Sequence, residues 1–113
     1  MPAKRRKNID DRFEVRMSQK DVKTFQAAAD QYGISLALWV RLACWKMIAV
    51  SELSEDSAGS LSERIEMRIR SSEKERFKKA AEKMSLPLST WMRSACWSVI
   101  NKYDGAVELV KLK

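Results

Sequence analysis

The sequence predicts a mainly α-helical fold that contains one two-stranded antiparallel β-ribbon. The chain of 113 residues is 45% hydrophobic and 33% charged, a balance typical of folded proteins rather than disordered ones. It contains only three Gly and two Pro, too few for the many turns of an all-β sandwich or barrel. A 52-residue repeat, and a change of hydrophobic periodicity within each copy, predict the order of the elements.

Two copies of one unit make up most of the chain. Residues 12–50 (the first unit) align without a gap on residues 64–102 (the second unit), and 13 of the 39 positions are identical. Residues 51–63 between them are acidic and rich in Ser, and we expect this linker to be flexible. Residues 1–11 form a basic N-terminal arm, and residues 103–113 form a C-terminal tail that either adds a strand or stays loose.

Each unit begins with a strict alternation of apolar and charged residues, which is the pattern of a half-buried strand. The apolar positions are Phe13, Val15, Met17, Ile65, Met67 and Ile69. A single unit is too small to bury a sufficient core, and its strand needs a partner. We therefore expect strands 13–17 and 65–69 to pair antiparallel within one chain, or to be exchanged between two chains.

Two helices follow the strand in each unit. Ser18 with Asp21 is the pattern of an N-cap with an acidic first turn, and we expect Ser71 or Ser72, before Glu75, to cap the corresponding helix of the second unit. Each first helix carries one apolar stripe at helical spacing.

The second helices begin at equivalent places. Gly33 is expected to end the first helix of the first unit, and Ser35 and Pro87 to begin the second helices. Each unit is thus predicted to be strand, helix, helix.

The chain has no His, and Cys44 and Cys96 lie far apart in the sequence. Zinc sites, Cys/His or Ser/His catalysis and imidazole acid–base chemistry are therefore not expected. We expect a protein that is not an enzyme and that binds no metal and no cofactor. Both cysteines are predicted to be buried, reduced thiols.

The distribution of charge favours a polyanionic partner. The chain has 22 basic and 15 acidic residues, and four of the acidic ones lie in the linker. An apolar run of about 18 residues is absent and the basic start lacks an apolar segment, so neither a membrane span nor a signal peptide is expected. We expect a cytoplasmic, nucleoid-associated protein.

Several motifs of the two units match a known family. They are the alternating strands RFEVRM and RIEMRI, the helix ending at QYGIS, and the helices LALWVRLA and LSTWMRSA. In these motifs the chain resembles the ribbon-helix-helix DNA-binding proteins, to which the Arc and methionine repressors belong, over residues 12–102. Most members are homodimers of one unit. The resemblance therefore implies that this chain is a tandem ribbon-helix-helix protein forming an intramolecular pseudodimer that binds double-stranded DNA.

The charged side of the ribbon has the chemistry of direct base readout. Arg binds guanine O6 and N7, and Glu accepts from cytosine N4 in the major groove. The predicted base-reading residues are Arg12, Glu14, Arg16, Arg64, Glu66 and Arg68. The alternative is a solvated ribbon face with cross-strand Arg–Glu pairs.

The resemblance further implies that the start of each second helix holds a DNA phosphate, which agrees with the anion affinity of helix N-termini. The basic arm and one extra Arg of the second unit would add phosphate contacts. The predicted phosphate-binding residues are Lys4, Arg5, Arg6, Lys7, Ser35, Leu36, Arg70, Leu88 and Ser89. Ser35 also serves as a cap, and the arm could be a solubilising tail. The second unit carries ten basic and four acidic residues against six and three in the first, so we expect an asymmetric site in which the second unit holds the DNA backbone more tightly.

One apolar strip distinguishes the first unit from the second. Its residues Leu38, Leu42 and Trp45 align with Thr90, Ser94 and Trp97. The four Trp of the chain are expected to be core residues. The strip either packs under a neighbouring helix or is a surface for self-association on DNA or for a protein partner.

The leading function is therefore sequence-specific DNA binding by a transcriptional repressor. The alternatives are a relaxosome or partition accessory factor that bends DNA, and an antitoxin or inhibitor that acts through protein contact.

Overall fold

A computed structural model describes residues 11–56 and 59–108 of the chain. The elements in chain order are β1 (Asp11–Met17), α1 (Gln19–Gln31), α2 (Leu36–Met47), β2 (Glu63–Ile69), α3 (Ser71–Lys83) and α4 (Leu88–Tyr103). The predicted class, mainly helical with one two-stranded antiparallel sheet, is confirmed. Within the described ranges, no helix is both long and apolar enough to cross a bilayer.

The two strands pair with each other in an antiparallel ribbon. Glu14 faces Glu66 at its centre, Arg12 faces Arg68 toward one end, and Arg16 faces Arg64 toward the other. Glu14 and Glu66 are also equivalent positions of the 52-residue repeat. The register therefore places the two strands symmetrically about this pair.

The alternation along the strands directs one side of the ribbon onto the helices. The inward residues Val15, Met17, Met67 and Ile69 are at most 1% exposed. Because successive side chains of a strand point to opposite faces, the charged residues between them lie on the outer side. A one-residue slip would reverse both faces, so burial of the apolar side fixes the register.

The core beneath the ribbon contains matching aromatic pairs from the two units. Trp39 and Trp91 are fully buried, as predicted. Phe25 stacks on Trp39 with ring centroids 5.4 Å apart, and the equivalent Phe77 stacks on Trp91 at 5.8 Å. Offset stacking of this kind adds about 0.5–1.5 kcal/mol to the effect of burial alone.

Cys44 and Cys96 are free and fully buried, as predicted. Burial raises the pKa of the Cys96 thiol well above its ordinary value, and the adjacent Cys44 raises it further. The two equivalent side chains thus meet where α2 packs against α4.

The N-terminus of α1 has the predicted cap, whereas that of α3 does not. Ser18 Oγ accepts from the Asp21 N–H at 3.1 Å, and the Ser18 N–H donates to Asp21 Oδ2 at 2.8 Å. The N-cap of α3 is Arg70 rather than Ser71 or Ser72. The prediction was wrong because Glu73, the counterpart of Asp21, accepts from the Arg70 N–H at 2.9 Å and so starts the helix one residue earlier.

Both helical hairpins turn through a left-handed residue. Gly33 follows α1 with φ of +66°, and its equivalent Ser85 follows α3 with φ of +58°. Ser35 then caps α2, as predicted, by accepting from the Leu38 N–H at 3.1 Å. Pro87 is the N-cap of α4.

The linker is not the free tether that its composition suggested. The Ser54 N–H donates to Ser98 Oγ at 2.6 Å, and Asn101 Nδ2 donates to Ser54 Oγ at 3.1 Å. Lys102 Nζ donates to the Glu52 carbonyl at 3.4 Å. Polar residues on the last turns of α4 thus hold the start of the linker beside that helix.

The tail packs against the first unit as far as it is described. Asp104 ends α4 in the left-handed conformation. The carbonyl of Gly105 accepts from Trp39 Nε1 at 2.9 Å, and that of Ala106 accepts from Lys46 Nζ at 3.0 Å. Val107 is 8% exposed. Residues 104–108 therefore neither add a strand nor stay loose.

Candidate nucleic-acid interface

The six residues predicted to read bases all lie on the exposed face of the ribbon. Strand alternation places them there, opposite the buried apolar side. The exposed residues are Arg12, Glu14, Arg16, Arg64, Glu66 and Arg68. The ribbon therefore presents four cations and two anions to solvent from a single small sheet.

One cross-strand ion pair lies on this face. Arg12 Nη1 is 3.5 Å from Glu66 Oε2, and the two side chains are 62% and 60% exposed. A pair this exposed contributes about 0–1 kcal/mol. The solvated-face interpretation is thus correct for this pair, but so weak a contact leaves both side chains available to a ligand.

The first turn of α2 opens onto the same surface as one end of the ribbon. A depression of about 370 Å³ lies between them; its lining residues are Arg12, Ser35, Ala37, Leu38, Arg41, Glu66 and Arg68. We call this the Arg12 end of the ribbon. It brings predicted base-reading residues next to Ser35, which was predicted to bind phosphate.

The helix N-termini supply backbone donors. In α2, Ser35 caps the Leu38 N–H, while the N–H groups of Leu36 and Ala37 lie in the first turn, where no intrahelical acceptor exists. Leu36 is 9% exposed and belongs to the core, so its side chain is not a contact for a ligand. The helix dipole adds partial positive charge at this point.

The start of α4 has more such donors. Pro87 makes no side-chain cap, so the first-turn N–H groups of Leu88, Ser89 and Thr90 all lack an intrahelical acceptor. The predicted residues Leu88 and Ser89 are half-buried at this start.

Arg41 is part of the surface, although sequence reasoning did not select it. Its Nε donates to Glu73 Oε2 at 3.0 Å and its Nη2 donates to Glu73 Oε1 at 2.8 Å. Trp45 Nε1 donates to the same carboxylate at 2.8 Å. Burial acts to raise the pKa of Glu73, but hydrogen bonds from Arg41, Arg70 and Trp45 lower it overall. The sequence contained one signal that could have identified Arg41, because the repeat has Arg at this position in both units, as Arg41 and Arg93.

Arg93, the counterpart of Arg41, has different partners. Its Nε donates to Asp56 Oδ2 at 2.9 Å, its Nη1 to the Arg16 carbonyl at 2.7 Å, and its Nη2 to Thr90 Oγ1 at 3.3 Å. Arg16 Nη2 donates to the Leu61 carbonyl at 3.2 Å. At this end, which we call the Arg16 end, linker residues lie against both arginines.

The three residues of the predicted partner surface do not form one continuous exposed strip. Leu42 is 2% exposed and belongs to the core. Trp45 is half-buried, with its ring 5.4 Å from that of Phe77 and the Arg76 guanidinium 5.4 Å above it. Leu38 lines the depression at the Arg12 end. Leu42 and Trp45 thus pack within the protein, Leu42 in the core and Trp45 against α3, which favours the simpler of the two sequence interpretations for these two residues.

Arg70 and the four basic residues of the N-terminal arm complete the predicted phosphate-binding set. Arg70 is exposed at the start of α3, and its role in phosphate binding stays a prediction. Lys4, Arg5, Arg6 and Lys7 lie outside the described residues. Among the residues with described positions, no cluster of three or more His, Cys, Asp or Glu side chains could hold a metal ion.

Comparison of the chain with protein-family models, with curated proteins and with solved structures gave no match.

Proposed function

We propose that this chain binds double-stranded DNA in a sequence-specific manner by inserting its ribbon into the major groove. The observation that carries the proposal is the pattern of Arg and Glu side chains on the exposed face of a ribbon whose register is centred on Glu14 and Glu66. In this proposal the chain is a tandem ribbon-helix-helix protein, and its two units act as an intramolecular pseudodimer.

The dimensions of the ribbon suit the major groove. Paired strands lie about 4.7–4.9 Å apart, and the groove of B-DNA, about 12 Å wide, admits a two-stranded ribbon. Arg12 and Arg68 stand across from each other, as do Arg16 and Arg64. Each Arg can bind a guanine, and the central Glu pair can accept from the cytosine amino group.

The Arg12 end supplies a contact for the DNA backbone. Ser35 and the first-turn N–H groups of α2 lie beside the outward arginines of the ribbon. A phosphate that flanks the occupied groove would receive hydrogen bonds from these donors and favourable interaction from the helix dipole. Arg41, held by Glu73, lines the same depression, although the Glu73 carboxylate offsets much of its charge.

Transcriptional repression is the simplest use of such binding, because a protein that occupies an operator excludes polymerase. A DNA-bending accessory role is the second candidate, favoured by the unlike partners at the two ends of the ribbon. A gel assay with the binding site at permuted positions distinguishes them: a bend appears as position-dependent mobility. An antitoxin role through the predicted contact strip has less support, since Leu42 is buried in the core and Trp45 packs against Phe77.

Selection from random duplexes tests the proposal. We expect an enriched site, and a steep fall in affinity as salt is raised. The double variant Arg12→Ala/Arg68→Ala should weaken discrimination of that site from random DNA by about 1–3 kcal/mol for each bidentate Arg–guanine pair that it removes.

A matched control removes the same charge elsewhere. Lys23→Ala/Lys79→Ala alters exposed positions on α1 and α3 and should leave discrimination intact. The proposal fails if no site is enriched, or if the two double variants lose discrimination equally.

A further inference from the structure

The two ends of the ribbon are equivalent in sequence but not in structure. The depression at the Arg12 end is open and is lined by Arg12, Ser35 and Arg41, among others. The repeat places Arg64, Pro87 and Arg93 at the corresponding positions of the Arg16 end. There the linker contacts Arg93 and Arg16, and within residues 11–56 and 59–108 no linker residue makes the corresponding contacts at the Arg12 end.

Asp56 is the linker residue at the centre of these contacts. Its Oδ2 accepts from Arg93 Nε at 2.9 Å. The Arg93 side chain is 5% exposed and that of Asp56 is 24% exposed. The guanidinium also donates to the Arg16 carbonyl and to Thr90 Oγ1, so it is held in place even without the carboxylate.

The surroundings of Asp56 are those of an anion site. The guanidinium of Arg93 is fixed, and Thr90 Oγ1 accepts one of its hydrogen bonds. Asp56 Oδ1 is buried and receives no hydrogen bond from any described residue, so the carboxylate is only partly satisfied where it lies, and the uncapped start of α4 belongs to the same helix as Arg93 and Thr90. A carboxylate and a phosphate offer the same kind of charged oxygen acceptors to a guanidinium. The site therefore has the chemistry to accept either group.

We propose that Arg93, Thr90 and the start of α4 form a second anion site, that Asp56 is its resident ligand, and that a DNA backbone phosphate competes with Asp56 for it. This inference rests on the proposed function. DNA then gains a backbone contact at the Arg12 end directly, whereas at the Arg16 end it must first displace the chain's own carboxylate.

The linker is held in a way that allows such displacement. Its further contacts with α4 are hydrogen bonds from Asn101 and Lys102, both exposed residues, and one from Ser54 to Ser98. At the ribbon, the Leu61 carbonyl accepts from the exposed Arg16 side chain. Leu53 is partly buried against the core and anchors the start of the linker. A movement that begins at Asp56 disrupts the polar contacts of Asp56 and Leu61 and leaves this anchor in place.

The consequence is an asymmetric contact with the DNA backbone. The wild-type protein should protect phosphates strongly on one flank of its site and weakly on the other. An ethylation-interference assay on the selected duplex measures this asymmetry directly, because it shows which DNA phosphates, once ethylated, prevent the protein from binding. Equal interference on the two flanks of the wild-type complex would overturn the inference.

The variant Asp56→Asn removes the competing charge and keeps the size of the side chain. We expect about tenfold tighter binding, the appearance of interference on the second flank, and a salt dependence steeper by about 0.9 for the one additional phosphate. Glu55→Gln is the matched control, because it removes the same charge from the neighbouring, exposed residue of the linker. It should raise affinity by no more than about twofold and add no interference.

Failure of this inference is distinguishable from failure of the proposed function. If Asp56→Asn and Glu55→Gln raise DNA affinity equally while sequence-specific binding is intact, the competition at Arg93 is overturned. The proposed function then still stands. If the wild-type chain shows no sequence preference, both proposals fall. Thermal unfolding of each variant confirms that it is folded, and the wild-type interference pattern decides the matter even if Asp56→Asn does not fold.

Discussion

Trp97 of helix α4 donates a hydrogen bond of 2.9 Å from its indole nitrogen to the Asp21 carboxylate, which caps helix α1 in the other unit. Trp45 donates in the same way to Glu73 at the start of α3. Each second helix is thus joined to the first turn of the other unit's first helix. This reciprocal contact ties the two units together beneath the ribbon.

The contact predicts unequal effects of two equivalent substitutions. Asp21 is fully buried, so Trp97→Phe leaves its carboxylate with one donor fewer and should lower the free energy of unfolding by about 1–3 kcal/mol. Trp45→Phe should lower it less, because Glu73 is 7% exposed whereas Asp21 is 0% exposed, and Arg41 still donates twice to Glu73. Urea unfolding of both variants measures the difference, and a larger decrease in Trp45→Phe would contradict this account.

Glu73 predicts a specific pH dependence of stability. Its pKa in the folded protein lies below the ordinary value of 4.5. The carboxylate therefore contributes stability that is complete above 4.5 and is lost as the pH falls through the lower, folded value. Glu73→Gln should be less stable at neutral pH and should lose less stability on acidification.

Glu75→Gln controls for the general effect of removing an acidic residue from α3, since Glu75 is exposed. Denaturant unfolding between neutral and acid pH provides the comparison. If Glu73→Gln and Glu75→Gln gave the same acid dependence, the assignment of the effect to the Arg41–Glu73 contact would be wrong.

The left-handed turns predict a pair of opposite stability changes. A non-glycine residue in this conformation is strained by roughly 1–2 kcal/mol, partly offset by the greater freedom of Gly in the unfolded chain, about 0.4–1 kcal/mol. Ser85→Gly should therefore stabilise the protein by up to about 1 kcal/mol. Gly33→Ser should destabilise it similarly, since an added Cβ at Gly33 meets no atom within 4 Å. A lower unfolding midpoint for Ser85→Gly would contradict the strain argument.

The fold was largely predictable because its signals are local and repeated. The alternation from Phe13 to Met17 and its copy in the second unit predicted both strands and their buried side. Gly33 marked the end of α1, and Ser35 marked the start of α2. Each of these signals depends on neighbouring residues in the chain.

The errors arose where a distant residue determines the role of a local one. Composition indicated a flexible linker, but Ser54 and Asp56 find partners on α4 that composition does not show. The apolar Leu42 was ambiguous because only the fold shows that it belongs to the buried core. Arg41 was missed because its bidentate acceptor, Glu73, lies 32 residues away in the sequence.

Interference by base methylation tests the central claim most directly, because one reagent marks both grooves. Dimethyl sulfate methylates guanine N7 in the major groove and adenine N3 in the minor groove, two atoms that a ribbon in the major groove would distinguish. On the selected duplex, we expect methylation of guanine N7 at the centre of the site to prevent binding, and methylation of adenine N3 there to leave binding unchanged. Interference from adenine N3 alone, or from neither atom, would contradict the reading of bases by the ribbon.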